Sequence, residues 1–381
     1  MPATPNTALD FTGEEMTHRL ARIRLRMKEL ELDAVITSNS ANIRYATGFR
    51  GEPGTLLITR RELVLFTALR TLPWAQKQTA VLNSQIELSV ESDPHQEITK
   101  LLSGSPLTIG IDQTASHNTF LAWQEKLQPH QLETTSLIEQ IRQIKSPAEV
   151  VLLQESQRIN ETTFETILPK IRPDMTERGV QGLILAEMAR NETIDRYSFM
   201  PIVAAGSNCW EIHHLPDDTV IGTDQMLLLD MGVFSNGYAS DMTRTIALGK
   251  PTPQMRDVYQ VVREAQSAAI AAIQPGIGTH EIDRVARDII TAAGFGETFT
   301  HGLGHSIGLE THDPGLVLSK KGPENTLQPG MALTVEPGIY LQNKFGVRLE
   351  DVIIVTEDGH LNLTHQTTEL LSPSGMISRI S

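Results

Sequence analysis

The chain has 381 residues, of which 40% are hydrophobic and 20% charged, with a net charge of −14 and one cysteine, Cys209. That length suits about two domains of ~150 residues, and the composition suits a soluble globular protein. The acidic balance argues against a nucleic-acid binder, which needs a basic face for phosphates, and no window approaches the ~18–20 apolar residues of a membrane span.

The first dozen residues read as a loose tail, without the charged and apolar pattern of a signal peptide. A lone cysteine rules out an internal disulfide and points to a reducing, cytoplasmic setting. An amphipathic helix is predicted over 16–30, with Leu20, Ile23, Met27 and Leu30 on one stripe. Residues 34–37 follow as a buried strand, then 55–58 and 63–66 as strands around the Arg60-Arg61 turn. Next come a helix over 73–79, an extended run over 86–90 and a helix over 94–102. A strand over 107–111 ends at Asp112, and a helix follows over 116–127. Strands alternating with helices predict an α/β domain with a largely parallel sheet.

Lys145-Ser146-Pro147 marks a boundary, because Pro disfavours helix in the residue before it. A long helix is predicted from Pro147 to about Leu168, and Thr176 caps another that reaches Arg190. An apolar strand over 225–234 carries Asp230, Ser235-Asn236-Gly237 signals a hairpin, and the return strand over 238–248 carries Asp241. Helices follow over 253–273 and 279–293, broken at Pro275-Gly276. The glycine-rich stretch from His301 to Asp313 then holds His301, His305, His312, Glu310 and Asp313. A second strand pair, over 331–341 and 346–356, carries Glu336, Arg348 and Glu350. Two acid-bearing strand pairs hint at an internal duplication.

These acids lie in apolar runs, where an unpaired charge is costly. Singly, Asp230 could be a hydrogen-bonded residue holding a turn. Asp241 could pair with Arg244, although strand alternation turns Arg244 to the other face. Glu350 could pair with Arg348. Across the hairpin, Asp230 and Asp241 can face each other. Together, four carboxylates converge only if cations hold them, since like charges at close range raise each other's pKa. Two divalent ions would offset the four charges. An oxygen-rich set with one histidine favours manganese, with cobalt, zinc or iron as alternatives. Ions ~3.5–4 Å apart can share and ionise one water, which supplies a hydroxide nucleophile. No Gly-x-Ser-x-Gly elbow and no base motif beside Cys209 offers a rival nucleophile.

Five ordered motifs carry a family resemblance. They are Asp230-x-Gly232; Gly237-Tyr238 with Ser240-Asp241-x-Thr243-Arg244-Thr245; His301-Gly-x-Gly-His305-x-x-Gly308-Leu309-x-x-His312-Asp313; Glu336-Pro337-Gly338-x-Tyr340; and Arg348-x-Glu350. Through them, over roughly residues 140–360, the chain resembles the pita-bread metallohydrolases in their proline-specific branch, the Xaa-Pro dipeptidases (prolidases) and Xaa-Pro aminopeptidases. Asn42-x-x-Tyr45-x-Thr47-Gly48-Phe49 is similar to the N-terminal domain of creatinase and prolidase. Where many relatives carry Asp-x-Arg-Tyr, this chain reads Thr67-Ala68-Leu69-Arg70-Thr71.

The resemblance implies a creatinase/prolidase-like α/β domain over 1–145 and an α+β pita-bread catalytic domain over 146–381. It implies Asp230, Asp241, His305, Glu336 and Glu350 as metal ligands. Glu336 would also shuttle protons, and His301 and His312 would flank the substrate and stabilise the tetrahedral intermediate. His213, seventeen residues before Asp230, would contact substrate, with the adjacent His214 ranking behind it. Tyr340 and Arg348 would line the proline side, and Thr243 would orient a carboxylate. The implied activity is hydrolysis, by a metal-bound hydroxide, of the bond preceding proline in small peptides with proline second, by a homodimer. Two other readings compete. A creatinase-like C–N hydrolase or lyase would act on a small non-peptide substrate and ignore X-Pro peptides. A non-catalytic binding module would have lost ligands, whereas all five stand here.

Overall fold

The computed structural model describes residues 12–51, 54–90 and 93–376, so the tail expected at the start lies outside them except for Thr12. The described residues form two compact units that part between Arg142 and Gln143. Among them no helix is long and apolar enough to cross a membrane.

The first unit opens on α1 (Gly13–Glu29), where the Thr12 hydroxyl accepts the N–H of Glu15 and starts the helix. Met16, Leu20, Ile23 and Met27 are buried, whereas Leu30, expected on the same stripe, lies in the cap and is exposed. Then follow β1 (Ala34–Thr37), α2 (Ser40–Thr47), β2 (Gly54–Thr59), β3 (Leu63–Thr67), α3 (Leu72–Thr79), β4 (Glu87–Ser89), α4 (Pro94–Leu101), β5 (Thr108–Asp112), α5 (His117–Lys126), β6 (Gln131–Thr135) and α6 (Leu137–Arg142). The sheet order is β4-β3-β2-β1-β5-β6. It is mixed rather than largely parallel: β1 and β5, β5 and β6, and β3 and β4 run parallel, but β2 is antiparallel to both β1 and β3. The short Arg60-Arg61 turn leaves no room for a crossover, so β3 must return antiparallel. Ile36, Val64, Phe66 and Ile111 pack with Ile98 of α4 and Trp123 of α5. The sequence reading missed α2, β6 and α6. Strand β6 is a mostly polar edge strand without alternation, and α2 is short, capped by Asn39 and stopped by Gly48 at φ +76°.

The second unit begins with α7 (Pro147–Ile167), where Ser146 and Glu149 form a reciprocal capping box around Pro147. In α8 (Glu177–Met188) the Thr176 hydroxyl accepts the N–H of Gly179. Next come β7 (Ile194–Tyr197), β8 (Ile202–Ala205), β9 (Gln225–Met231), β10 (Val233–Ser235), β11 (Tyr238–Ala239) and β12 (Met242–Leu248). Then α9 (Pro253–Ala272), α10 (Thr279–Ala292), β13 (Gly304–His305), β14 (Val317–Leu318), β15 (Ala332–Val335), β16 (Gly338–Leu341), β17 (Phe345–Arg348), β18 (Asp351–Val355) and β19 (His360–Asn362) follow. Two helices followed by a broken hairpin thus occur twice in the same order. Strand alternation joins the two sets. Leu227, Leu229 and Met231 of β9 pack with Ile159 and Phe164 of α7 and Ile184 of α8. Met226 and Leu228 pack on the other face with Val262 of α9 and Ile282 of α10. At about 1.5–3 kcal/mol for each fully buried aliphatic side chain, these two cores hold β9 rigidly between the helix pairs. Asp230 continues the Met226–Leu228 face.

Candidate metal centre

Neither predicted hairpin is continuous, and the breaks carry three of the four acids. Asp230 is the last but one residue of β9, and its partner across the ladder is Thr243, not Asp241. The expected facing of Asp230 and Asp241 across the ladder is therefore corrected. Asp241 lies in the gap between β11 and β12, where its N–H donates to Gln157 Oε1 at 3.2 Å. Gly232 lets the chain cross here, since a Cβ would stand 2.2 Å from the Ser240 carbonyl oxygen. Glu336 occupies the gap between β15 and β16, next to Pro337, which has no ladder donor. Glu350 occupies the gap between β17 and β18. Its N–H donates to the Thr243 carbonyl at 3.1 Å, and its Oε2 accepts from the Thr243 hydroxyl at 2.7 Å. Each gap frees a side chain from the sheet's alternation. All four acids and His305 line one cavity of about 910 Å³.

Electrostatics set the state of this cluster. Burial pushes the Asp241, Glu336 and Glu350 carboxyls up, Glu336 to about 8, and the negative charge of neighbouring acids adds to each shift. His305 Nδ1 faces the Ser306 carbonyl at 3.0 Å, which can only accept, so Nδ1 carries the proton. Its Nε2 is thereby a lone pair, 3.6 Å from Glu336 Oε1 and 3.8 Å from Asp241 Oδ2. Burial, with His312 adding, brings His305 down to about 4, so the ring is neutral near pH 7. Thr334, unremarked in the sequence, accepts the His305 N–H at 3.0 Å and donates to Glu336 Oε1 at 3.4 Å.

The remaining predicted residues take distinct places. Arg348 lines the cavity, but it pairs with Asp230 and not with Glu350. Tyr340 is not among the lining residues. Its hydroxyl accepts from Arg348 Nη1 at 3.0 Å and donates to His301 Nε2 at 2.8 Å. His301 Nδ1 donates to the Gly302 carbonyl at 2.7 Å, so both its ring nitrogens are engaged within the protein. Burial, then the nearby Arg348 charge, brings His301 down to about 4. His312 is exposed on the wall and stands edge-on to His305, ring centres 4.1 Å apart. Burial of part of its ring, then His213, lowers its pKa. His213 lines the same cavity. Thr243 also accepts from Arg348 Nε at 3.1 Å. Arg244 turns away from Asp241 to Asp351 at 2.8 Å and donates to the Glu350 carbonyl at 2.7 Å, which fixes that gap.

A buried ion pair anchors the histidine loop: Lys145 Nζ lies 2.9 Å from Asp313 Oδ2, and both side chains are 1% exposed. Gly308 leaves room for it, since a Cβ would meet Asp313 Oδ2 at 2.7 Å. No local pattern marks this pair. A second acid–histidine cluster joins Glu177, His214 and Asp217. There Glu177 accepts from the Ala205 N–H at 2.7 Å, Asn208 at 3.0 Å and the Asp217 N–H at 3.2 Å, and holds His214 at 2.7 Å. Those donors already fill the carboxylate, so the cluster is a strut under the loop that bears His213.

The main donor set suits divalent cations. Asp230 Oδ1 is buried with no hydrogen-bond partner, although its carboxylate faces the cavity. One donor atom each of Asp241, His305 and Glu350 lie within 4.8 Å of one another. Burial raises these carboxyl pKa values and the charge of neighbouring acids adds to it, a cost that bound cations would offset.

The chain is similar to known proteins over most of its length. The family model for metallopeptidase family M24 matches residues 151–357, and that for the creatinase/prolidase N-terminal domain matches residues 19–144. An Xaa-Pro dipeptidase of Lactobacillus helveticus is 32% identical over 92% of this chain and 98% of its own length. The solved structure of an Xaa-Pro dipeptidase from Bacillus anthracis is 34% identical, with a TM-score of 0.87 over 93% of this chain and 99% of that one. That of an X-Pro aminopeptidase from Thermotoga maritima MSB8 is 28% identical, with a TM-score of 0.83 over 91% and 99%.

Proposed function

This chain belongs to metallopeptidase family M24, and from that premise we propose that it hydrolyses the peptide bond preceding proline in small peptides. The observation that carries this reading is the gathering of Asp230, Asp241, Glu336 and Glu350 with His305 on one cavity. The names of its relatives support proline at the second position. Asp230, Asp241, His305, Glu336 and Glu350 would hold two divalent ions, manganese being favoured by the oxygen-rich set. When bound, such ions polarise a carbonyl and lower the pKa of water.

The chain's own groups do the rest. The oxygen of water joins the carbonyl carbon of residue X, and the bond to the proline nitrogen breaks. Glu336, whose carboxylate lines the cavity, takes a proton from that water and returns it to the leaving nitrogen. His312, open to the cavity, donates to the oxygen that gains charge, and His213 orients the peptide. His301 lines the same cavity with Nδ1 on the Gly302 carbonyl and Nε2 on the Tyr340 hydroxyl, and so shapes the wall beside the substrate. Arg348 and Tyr340 keep Asp230 and His301 in place on the proline side. A cytoplasmic homodimer completes the reading by analogy with the family.

The test is Glu350→Ala, with bound manganese counted by elemental analysis and cleavage of Ala-Pro and Ala-Pro-Ala followed. Both metal content and cleavage should collapse. Retention of both removes the proposal.

A further inference from the structure

We propose that this site is built for peptides that continue past proline, X-Pro-Y and longer, in preference to free X-Pro dipeptides. The inference rests on the reading above and specifies its substrate class. In a dipeptide, proline ends in a free carboxylate two bonds from the nitrogen of the cleaved bond. That carboxylate must enter the cavity with the scissile bond, lose water and find a cation or a set of donors.

The wall does not offer one. Among the described residues that line the cavity, Arg348 is the only arginine, and none is a lysine. Its guanidinium is already engaged: Nη2 with Asp230 at 2.6 Å, Nη1 with Tyr340 at 3.0 Å and Nε with Thr243 at 3.1 Å. It is 2% exposed, and its Nε and both Nη are committed to those partners. Lys145, behind the wall, is held by Asp313. His301 has both nitrogens engaged, His305 presents a lone pair, and His214 sits between Glu177 and Glu211. His213 and His312 remain as ring donors beside four carboxylates, whose charge two divalent ions would only balance. The free carboxylate of proline meets no unengaged arginine or lysine there.

The rest of the cavity suits a longer chain. Its ~910 Å³ stands at the upper end of the ~300–1,000 Å³ usual for small-molecule pockets and exceeds a dipeptide several-fold. Away from the acids the wall is apolar, with Phe199, Met200, Ile202, Leu215 and Val317. Leu215 is 82% exposed and Met200 47%, so this surface reaches the mouth. A residue after proline covers it and carries the terminal carboxylate out to water, while proline's own carbonyl becomes an uncharged amide.

The experiment compares the manganese-loaded full chain on Ala-Pro, Ala-Pro-amide and Ala-Pro-Phe. The amide and the tripeptide should exceed the dipeptide in kcat/KM by at least ~10-fold, the ~1.4 kcal/mol scale of one hydrogen bond to a charged group. The gap should lie mainly in KM. Binding gives an independent readout: Pro-Phe should compete at lower concentration than free proline. A dipeptide cleaved as well as or better than its amide overturns the inference and leaves the proline reading standing. Cleavage of none of the three overturns the proposed function, and the inference goes with it.

Discussion

Arg348 Nη2 donates to Asp230 Oδ2 at 2.6 Å, and the other oxygen of the same carboxylate has no partner at all. One oxygen is thus tied to the scaffold and the other is left for a ligand. Burial opposes the Arg348 charge, but Tyr340, Asp230 and Glu336 around it outweigh that and hold its pKa well above the ordinary value.

Arg348→Lys keeps the charge and loses the fork that reaches Asp230, Tyr340 and Thr243 together. We expect manganese affinity and kcat/KM to fall ~10–100-fold, as for other groups that orient a ligand. Isothermal titration with the metal checks this, and unchanged affinity would refute the orienting role. Arg348→Ala leaves the Asp230 carboxylate buried without its cation and should cost ~3–5 kcal/mol in urea unfolding.

Removal of metal by a chelator should make stability fall with rising pH. The metal-free fold holds the Glu336 proton up to about 8, against an ordinary 4.5, and Asp241 and Glu350 shift the same way. Between those values the folded state binds more protons than the unfolded chain. Stability is therefore lost as pH rises through the window. Metal must displace these protons, so its affinity should climb from pH 6 to 8 and binding should release protons. Calorimetry in two buffers of different ionisation enthalpy measures that release, and its absence contradicts the cluster's assignment.

Lys145→Met takes the cation at 2.9 Å away from the buried Asp313 carboxylate and should destabilise the protein by ~3–5 kcal/mol. Lys145→Met with Asp313→Leu should recover much of that loss. Thermal melts of the three proteins test the cycle. A single variant as stable as the parent would show that the pair does not anchor the histidine loop.

In the first unit, burial raises the Asp112 carboxyl to about 6, with Glu139 adding, despite hydrogen bonds from Thr37 and Asn42. Its folded form holds a proton between 3.8 and about 6 that the unfolded chain has lost. Stability should fall by up to ~3 kcal/mol as pH rises through that window. Asp112→Asn should flatten the slope, which hydrogen exchange over residues 37–42 can follow.

Much of the fold is legible locally. Pro147 and Thr176 announce their helices because first-turn donors need caps and proline lacks one. Alternating apolar residues announce β9 and β12. Alternation failed at Asp241, Glu336 and Glu350, because each lies where the ladder stops. Gly232 and Pro337 mark two of those stops in the sequence, since one admits the close approach of Ser240 and the other lacks a ladder donor. Asp241 therefore stands beside Asp230 without being its cross-strand partner.

By itself the sequence determined that four acids would sit in apolar surroundings, that their charges would need compensation, and which glycines and prolines would bend the backbone near them. Those are short-range matters of propensity and desolvation. Only the tertiary structure decided which partner each group takes: Arg348 for Asp230 across 118 residues, Lys145 for Asp313 across 168, Glu177 for His214 across 37. A buried ion chooses its counter-ion by distance in space, and that distance exists only once two helix pairs have packed on either side of β9.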